Sequence, residues 1–312
     1  MIELADGIRR VTFRLPFGID HVHCYLVRAS DRGWTVVDAG LGLPDARDRW
    51  RQILARLDGP VTRILVTHYH PDHVGASADL TELTGATVYQ NAVDYGQCLT
   101  AWGEARMAEA LPEYMSRHGL PPNQVETLRG ESEALVALVR FARDPEPLDG
   151  GNALDGWDVL HLPGHADGHL ALLRRGVLIA GDTILGTITP NVGLYPDARP
   201  DPLGDYLSSL GRIEALAPHV AYPGHGEPVL DPGARAREIV QHHRRRLVRA
   251  SEALAGGELT AYEASLVLFP EPLAPALRRF ALTETRAHLE YLVHRDAARR
   301  LDSDGVVFYG DA

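Results

Sequence analysis

The chain has 312 residues, enough for one large domain and a smaller one, and its 45% apolar and 23% charged content is that of a globular protein. A formal charge of −11 argues against a protein that coats nucleic acid, and the excess lies in residues 1–230, because from Asp231 onward twelve Arg offset twelve Asp and Glu. There is no Lys, and every basic side chain is Arg or His, which reads as a coding bias rather than as chemistry. Met1 to Gly7 has no apolar core of a signal peptide, and no stretch reaches the length of a membrane span. Cys24 and Cys98 sit in apolar surroundings and demand no disulfide, so a cytoplasmic protein is expected.

In chain order, Cys24–Ala29 and Thr35–Asp38 read as paired strands around the turn Ser30-Asp31-Arg32-Gly33. Residues 44–57 read as a helix with Trp50, Ile53, Leu54 and Leu57 on one face. Residues 63–67 form a buried strand, after which Asp72 is placed to cap a helix running to about Leu83, ended by Gly85. Thr87–Gln90 is another strand. Residues 91–150 are helical in pattern and carry Trp102, Met107, Tyr114 and Met115; they read as an insertion, either a covering layer or an apolar lid. Strands return at residues 158–162, 170–174, 177–180 and 219–222, with a helix from about Pro202 to Ala215 and a proline-rich loop at 186–200. This alternation describes a layered α/β domain over residues 1–230, with its site at strand ends. From Asp231 to the end, three helices and a hairpin suggest a small winged-helix-like domain.

The densest chemical signal is Thr67-His68-Tyr69-His70-Pro71-Asp72-His73, three imidazoles and a carboxylate in seven positions. Neutral imidazole and carboxylate are ligands for zinc and similar ions, and burying them without partners is costly. His68 and His70, two apart in an extended segment, point the same way, while Pro71 turns the chain so that Asp72 and His73 face a neighbouring position. Pro163-Gly164-His165, Gly181-Asp182 and Pro223-Gly224-His225-Gly226 each add a lone ligand beside glycine, after an apolar run. Seven candidate ligands suffice for two ions. Outside the set, His169 could hold a ligand in its tautomer and Tyr195 could reach a substrate oxygen. His21 and His23 read as structural, and the run Arg244-Arg245-Arg246 as a solvated helix face.

His68-x-His70-x-Asp72-His73 followed by His165, Asp182 and His225 resembles the metallo-β-lactamase superfamily over roughly residues 8–230. The resemblance implies an αββα sandwich, in which His68, His70 and His165 hold one metal, Asp72, His73 and His225 a second, and Asp182 bridges. It is closer to the glyoxalase II, lactonase and nuclease branches than to the zinc β-lactamases. Those lack the bridging Asp and commonly use a Cys ligand, and here neither Cys lies near a ligand motif. His70 stands where flavodiiron oxidoreductases have an acidic residue. A similar tail occurs in a branch that includes a lactamase-like endoribonuclease.

The chemistry expected of such a site is hydrolysis by a hydroxide held between two zinc ions, with manganese or iron as alternatives, and Asp72 orients it or takes up a proton. A small ester, thioester or lactone is the expected substrate. A single-strand endoribonuclease and a non-enzymatic winged-helix ligand sensor are the alternatives, and nucleic acid is not favoured by the acidic catalytic part and neutral tail. No membrane partner is expected, and the tail packs on the catalytic domain or on a second subunit of a homodimer.

Overall fold

A computed structural model describes the chain from Met1 to Ala312 except Asp6, Phe17 and Ala105, and leaves out the side chains of Pro275 and Ala276. The chain opens with β1 (Ile2–Ala5), β2 (Ile8–Arg14), β3 (His21–Arg28) and β4 (Trp34–Val37). Then come α1 (Ala46–Leu54), β5 (Val61–Leu65), the single turn α2 (Pro71–Val74), α3 (Ser77–Thr84) and β6 (Thr87–Gln90). A helical stretch follows: α4 (Ala92–Cys98), a π-helical turn at Leu99–Gly103, α5 (Arg106–Arg117) and α6 (Pro122–Val136), before the edge strand β7 (Glu146–Pro147). These seven strands form one sheet in sequence order, antiparallel from β1 to β4 and parallel from β4 to β7.

A second sheet contains β8 (Ala153–Leu154), β9 (Trp157–His161), β10 (Leu170–Arg174), β11 (Val177–Gly181) and, after α7 (Pro202–Leu216), β12 (Val220–Pro223). Its order is β12-β11-β10-β9-β8, with β11 and β12 parallel. The chain ends with α8 (Pro232–Leu254), β13 (Leu259–Thr260), α9 (Ala261–Leu268), α10 (Pro275–Val293), β14 (Arg299–Ser303) and β15 (Val306–Gly310), the strands pairing in the order β13-β15-β14.

Alternation along the strands builds the layers. On β3, Tyr25 and Val27 face the second sheet and pack with Trp157, Val159 and Leu172, while Cys24 and Leu26 turn the other way toward Trp50 of α1 and Leu80 of α3. On the far side of the second sheet, Ala171, Leu178 and Ala221 pack against Tyr206 and Leu210 of α7 and Ile239 of α8. The result is helix, sheet, sheet, helix. Each fully buried side chain of this size adds about 1.5–3 kcal/mol, so three such seams dominate the stability.

One expectation is corrected. The helix after the histidine cluster is broken: α2 ends at Gly75, and Asp72 lies inside its first turn with His70, not Asp72, in the cap position. The break is held by long-range bonds, with the Gly75 carbonyl accepting from Arg140 N–H (2.7 Å) and Ala76 N–H donating to Gly40 (2.9 Å). Within the insertion Trp102 and Met115 belong to the covering layer, while Met107 lines a small cavity with Tyr69 and Tyr195. Trp102 is buried with its indole N–H on the Tyr69 carbonyl (2.8 Å), and Met115 is fully buried against the C-terminal helices. The amphipathic faces of α5 and α6 pair with α8, α9, α10 and β15 in one core, so the tail packs on the insertion of its own chain.

Candidate metal centre

Beyond β5 the chain runs on to His70 and delivers two imidazoles to the same side. His68 Nε2 lies 3.0 Å from His70 Nδ1, which lies 2.9 Å from His165 Nε2 on the loop between β9 and β10. Their tautomers follow from the other ring atoms. His165 Nδ1–H donates to the Asn191 carbonyl (2.7 Å). His68 Nδ1 faces Thr67 Oγ1 (3.0 Å), whose own proton goes to Asp38, so the imidazole is the donor there. Both Nε2 atoms therefore aim lone pairs at one point beside His70. Burial pushes His68 and His70 well below the ordinary imidazole range and lowers His165 as well, keeping all three in the neutral form that binds metals.

The second group meets the first at one oxygen. Asp182 Oδ2, just past β11, is 3.1 Å from His225 Nε2, 3.5 Å from His73 Nε2 and 3.6 Å from His165 Nε2. Asp72 Oδ2 is 3.3 Å from His225 Nε2. His73 Nδ1–H donates to Asp38 (2.8 Å) and His225 Nδ1–H to the His21 carbonyl (2.6 Å), again turning the Nε2 atoms inward. Burial works against ionising Asp72, but His73 and His225 hold its carboxyl down at about 2. Burial alone would lower His225, yet Asp182 and Asp72 push it up to about 10, so this pocket attracts positive charge.

The residues fit divalent cations on three observations. His73 Nε2 and Asp182 Oδ1 are buried with no hydrogen-bond partner. Ligand atoms of His68, His70 and His165, of His68, His73 and Asp182, and of Asp72, His73 and His225 each lie within 4.8 Å of one another. Gly224 keeps the place open, since a Cβ there would lie 2.3 Å from Asp182 Oδ1 and 2.7 Å from His73 Cε1. All seven residues singled out in the sequence thus converge.

The two residues proposed around them behave differently. His169 is fully buried, stacks on His68 (ring centroids 4.9 Å) and accepts the Asp182 backbone N–H at Nε2 (3.1 Å), so it places the Asp182 main chain and bonds to no ligand side chain. Tyr195 packs on the C-terminal core and lines a small cavity with Tyr69 and Met107. Arg246 departs from the solvated-face reading, because it pairs with the buried Glu284 and stacks on Phe269 (4.1 Å). Residues that the sequence reading missed support the centre. Asp38 accepts from Thr67 N–H (2.7 Å), Thr67 Oγ1 and His73 Nδ1, and its signal was an acid beside a small-residue turn after an apolar strand, the pattern of Asp182. Asp94 accepts from Tyr69 N–H (3.0 Å) and Gly168 N–H (2.6 Å), tying two ligand loops together. His21 Nε2 accepts the Gly226 N–H (3.0 Å) and His23 Nε2 meets the Gly226 carbonyl (2.9 Å), fixing the His225 loop.

Residues 17–225 match the family described as the metallo-beta-lactamase superfamily, and residues 247–312 match its metallo-beta-lactamase-like C-terminal domain. The chain belongs to the metallo-beta-lactamase superfamily. It is 37% identical to the metallo-beta-lactamase family protein TTHA1429 from Thermus thermophilus, covering 99% of this chain and 100% of that one with a TM-score of 0.85. A beta-lactamase domain protein from Burkholderia ambifaria is 33% identical, with 100% and 94% covered and a TM-score of 0.89. The probable metallo-hydrolase YqjP of Bacillus subtilis (strain 168) is 28% identical over 98% of each chain. Relatives that match over less of the chain include an atrochrysone carboxyl ACP thioesterase of Aspergillus chevalieri (27% identical; 76% of this chain, 62% of that one) and the hydroxyacylglutathione hydrolase GloC of Haemophilus influenzae (28%; 64% and 80%). TTHA1623, solved in a di-iron-bound form, is 27% identical over 73% of this chain and 97% of its own, with a TM-score of 0.53. Superfamily membership and these hydrolases make the chain a metal-dependent hydrolase, and the family implies a divalent metal. No helix among the described residues is long and apolar enough to cross a membrane.

Proposed function

We propose that the chain is a cytoplasmic two-zinc hydrolase of a small thioester, ester or lactone. The observation that carries the two-metal reading is Asp182 Oδ2, one carboxylate oxygen facing nitrogens of both ligand groups. In this reading His68, His70 and His165 would hold the first ion, Asp72, His73 and His225 the second, and Asp182 would serve both. When bound, such a pair supplies Lewis acidity and a water that is deprotonated near neutral pH. Asp72, ionised and aimed into the cluster, would orient that hydroxide or take up a proton as it attacks. Asp38 and the His21 carbonyl keep the rings of His73 and His225 turned inward through the reaction.

The substrate class rests on the relatives that are named thioesterase and hydroxyacylglutathione hydrolase, names that both denote cleavage of acyl thioesters. Zinc suits the nitrogen-rich donor set, and the di-iron form of TTHA1623 makes iron the competitor. Two buried free cysteines, Cys24 and Cys98, support a reducing compartment. We assign residues 1–230 to the catalytic domain and 231–312 to a winged-helix-like domain, supported by the order helix, helix, helix, hairpin in the tail; α8 is shared, its first half packing on α7 and its second on the tail. The arginines of α10 speak against the nucleic-acid and sensor readings. Arg278 is buried on carbonyls of Ser265, Phe269 and Glu271, and Arg286 lies over Tyr114 at 4.6 Å. These contacts support a small-molecule partner over nucleic acid.

The test is turnover of a panel of acyl thioesters, esters and lactones by the zinc-loaded protein. Activity is expected on at least one class, lost on chelation, and lowered about 10²–10⁴-fold in kcat/KM by Asp72→Ala. Fully metallated protein that turns over none of them overturns the assignment.

A further inference from the structure

Outside the metal centre the described residues hold one more buried group of ligand-type side chains, His243 of α8 with Glu284 and His288 of α10. Its carboxylate is already taken. Glu284 Oε1 accepts from Arg246 Nη1 and Oε2 from Asn191 Nδ2 (3.0 Å). His288 Nδ1–H donates to the Glu284 carbonyl (2.7 Å), and its Nε2 faces His243 Nδ1 at 3.1 Å. With a guanidinium in place of a metal ion, the group is a hydrogen-bonded support rather than a cation site.

The support leads into the metal centre. Asn191, whose side chain is anchored by Glu284, presents the backbone carbonyl that accepts His165 Nδ1–H at 2.7 Å. The same loop is pinned to α10 at a second point, where Leu194 N–H donates to the Thr283 carbonyl (3.1 Å). Gly193, between these points, lets the loop approach closely, since a Cβ there would lie 2.6 Å from Tyr195 Cε2 and 2.8 Å from Thr283 Oγ1 and would have to displace them. Asn191 Nδ2 also reaches the Phe280 carbonyl at 3.4 Å. Among the described residues the side-chain carboxylate in this path is Glu284, which is 7% exposed.

We propose that Glu284, carried by the C-terminal helix α10, is a positioning residue for the first metal: by holding Asn191 it fixes the carbonyl that orients His165 as a ligand. This rests on the reading above that His165 binds metal. It gives the C-terminal segment a part in the site although it contributes none of the seven ligands. A carbonyl held in place selects the Nδ1–H tautomer and the ring angle, and loss of such a partner weakens metal binding by about 10–100-fold.

The experiment titrates the metal-free, full-length protein with zinc against a chromophoric chelator and records the visible spectrum of the cobalt-substituted form. Wild type is expected to bind two ions, and His165→Ala to lose the first. Glu284→Ala is expected to weaken the first ion about 10–100-fold, shift its cobalt bands and leave the second ion's affinity unchanged. Glu284→Gln, whose amide oxygen still accepts from Asn191, is expected to restore most of the first-site affinity. Should Glu284→Ala fail to fold, Asn191→Ala, which keeps the carbonyl but removes its side-chain anchor on Glu284, is expected to show the same selective loss. Equal weakening of both ions, or no weakening of either, overturns the proposal. If His165→Ala binds two ions as tightly as wild type, the assignment of the metal centre fails instead.

Discussion

Asp38 makes plain what a single side chain contributes to the centre and why it was hard to see. It ligates nothing, yet it accepts from the backbone and hydroxyl of Thr67 and from His73, so it sets both the entry of the histidine loop and the tautomer of a ligand. Replacing it by Ala removes the acceptor of His73 Nδ1–H and frees the ring to turn; zinc affinity measured by chelator competition is expected to fall about 10–100-fold. Unchanged affinity would show that packing alone holds the ring. The seven convergent residues were legible because each motif puts its ligand beside a turn at the end of an apolar strand. Asp38, Asp94 and Glu284 were not, because each acts on a group between 25 and 93 positions away. Asp38 has the local pattern of Asp182, an acid just past an apolar strand, but neither it nor an acid within a helix carries a mark of its distant partner.

Among the elements, α5 is the one whose packing partner the sequence left open. Its apolar stripe was readable from the sequence, but an amphipathic helix does not say what covers it. The stripe meets α9 and α10 rather than the mouth of the site, with Met115 fully buried at the seam. Met115→Ala is therefore expected to cost about 2–5 kcal/mol in urea unfolding while metal content stays at the wild-type level. A loss of metal with unchanged stability would return α5 to the active site. The break between α2 and α3 was hidden for a related reason: the sequence continues in good helical residues, and the interruption comes from bonds to Gly40 and Arg140 made across the fold.

For the molecule as a whole, several neutral imidazoles sit in the core shared by the insertion and the tail or beside it. Burial lowers His118 to about 4, His288 to about 3 and His243 to about 2, against roughly 6.5 in an unfolded chain. Below about pH 6.5 the unfolded chain takes up protons that the folded one refuses, so stability is fully present above that value and falls as pH drops toward about 4. Each of the three contributes about 1.4 kcal/mol per pH unit inside its window. The urea midpoint of chelated protein is expected to drop between about pH 7 and pH 5, and a constant midpoint would exclude the effect. The layered α/β plan was legible from alternating strands and helices; the pairing of residues 106–136 with residues 250–309 was not, since no local pattern encodes contacts of such separation. That pairing also sets an order of events during synthesis. Leu111, Met115 and Leu128 leave the ribosome well before α8, α9 and α10 exist, so the nascent chain carries an uncovered apolar stripe until its last helices emerge. A chain halted near Asp231 would hold all seven ligands and still be prone to aggregate, because what its end supplies is a cover.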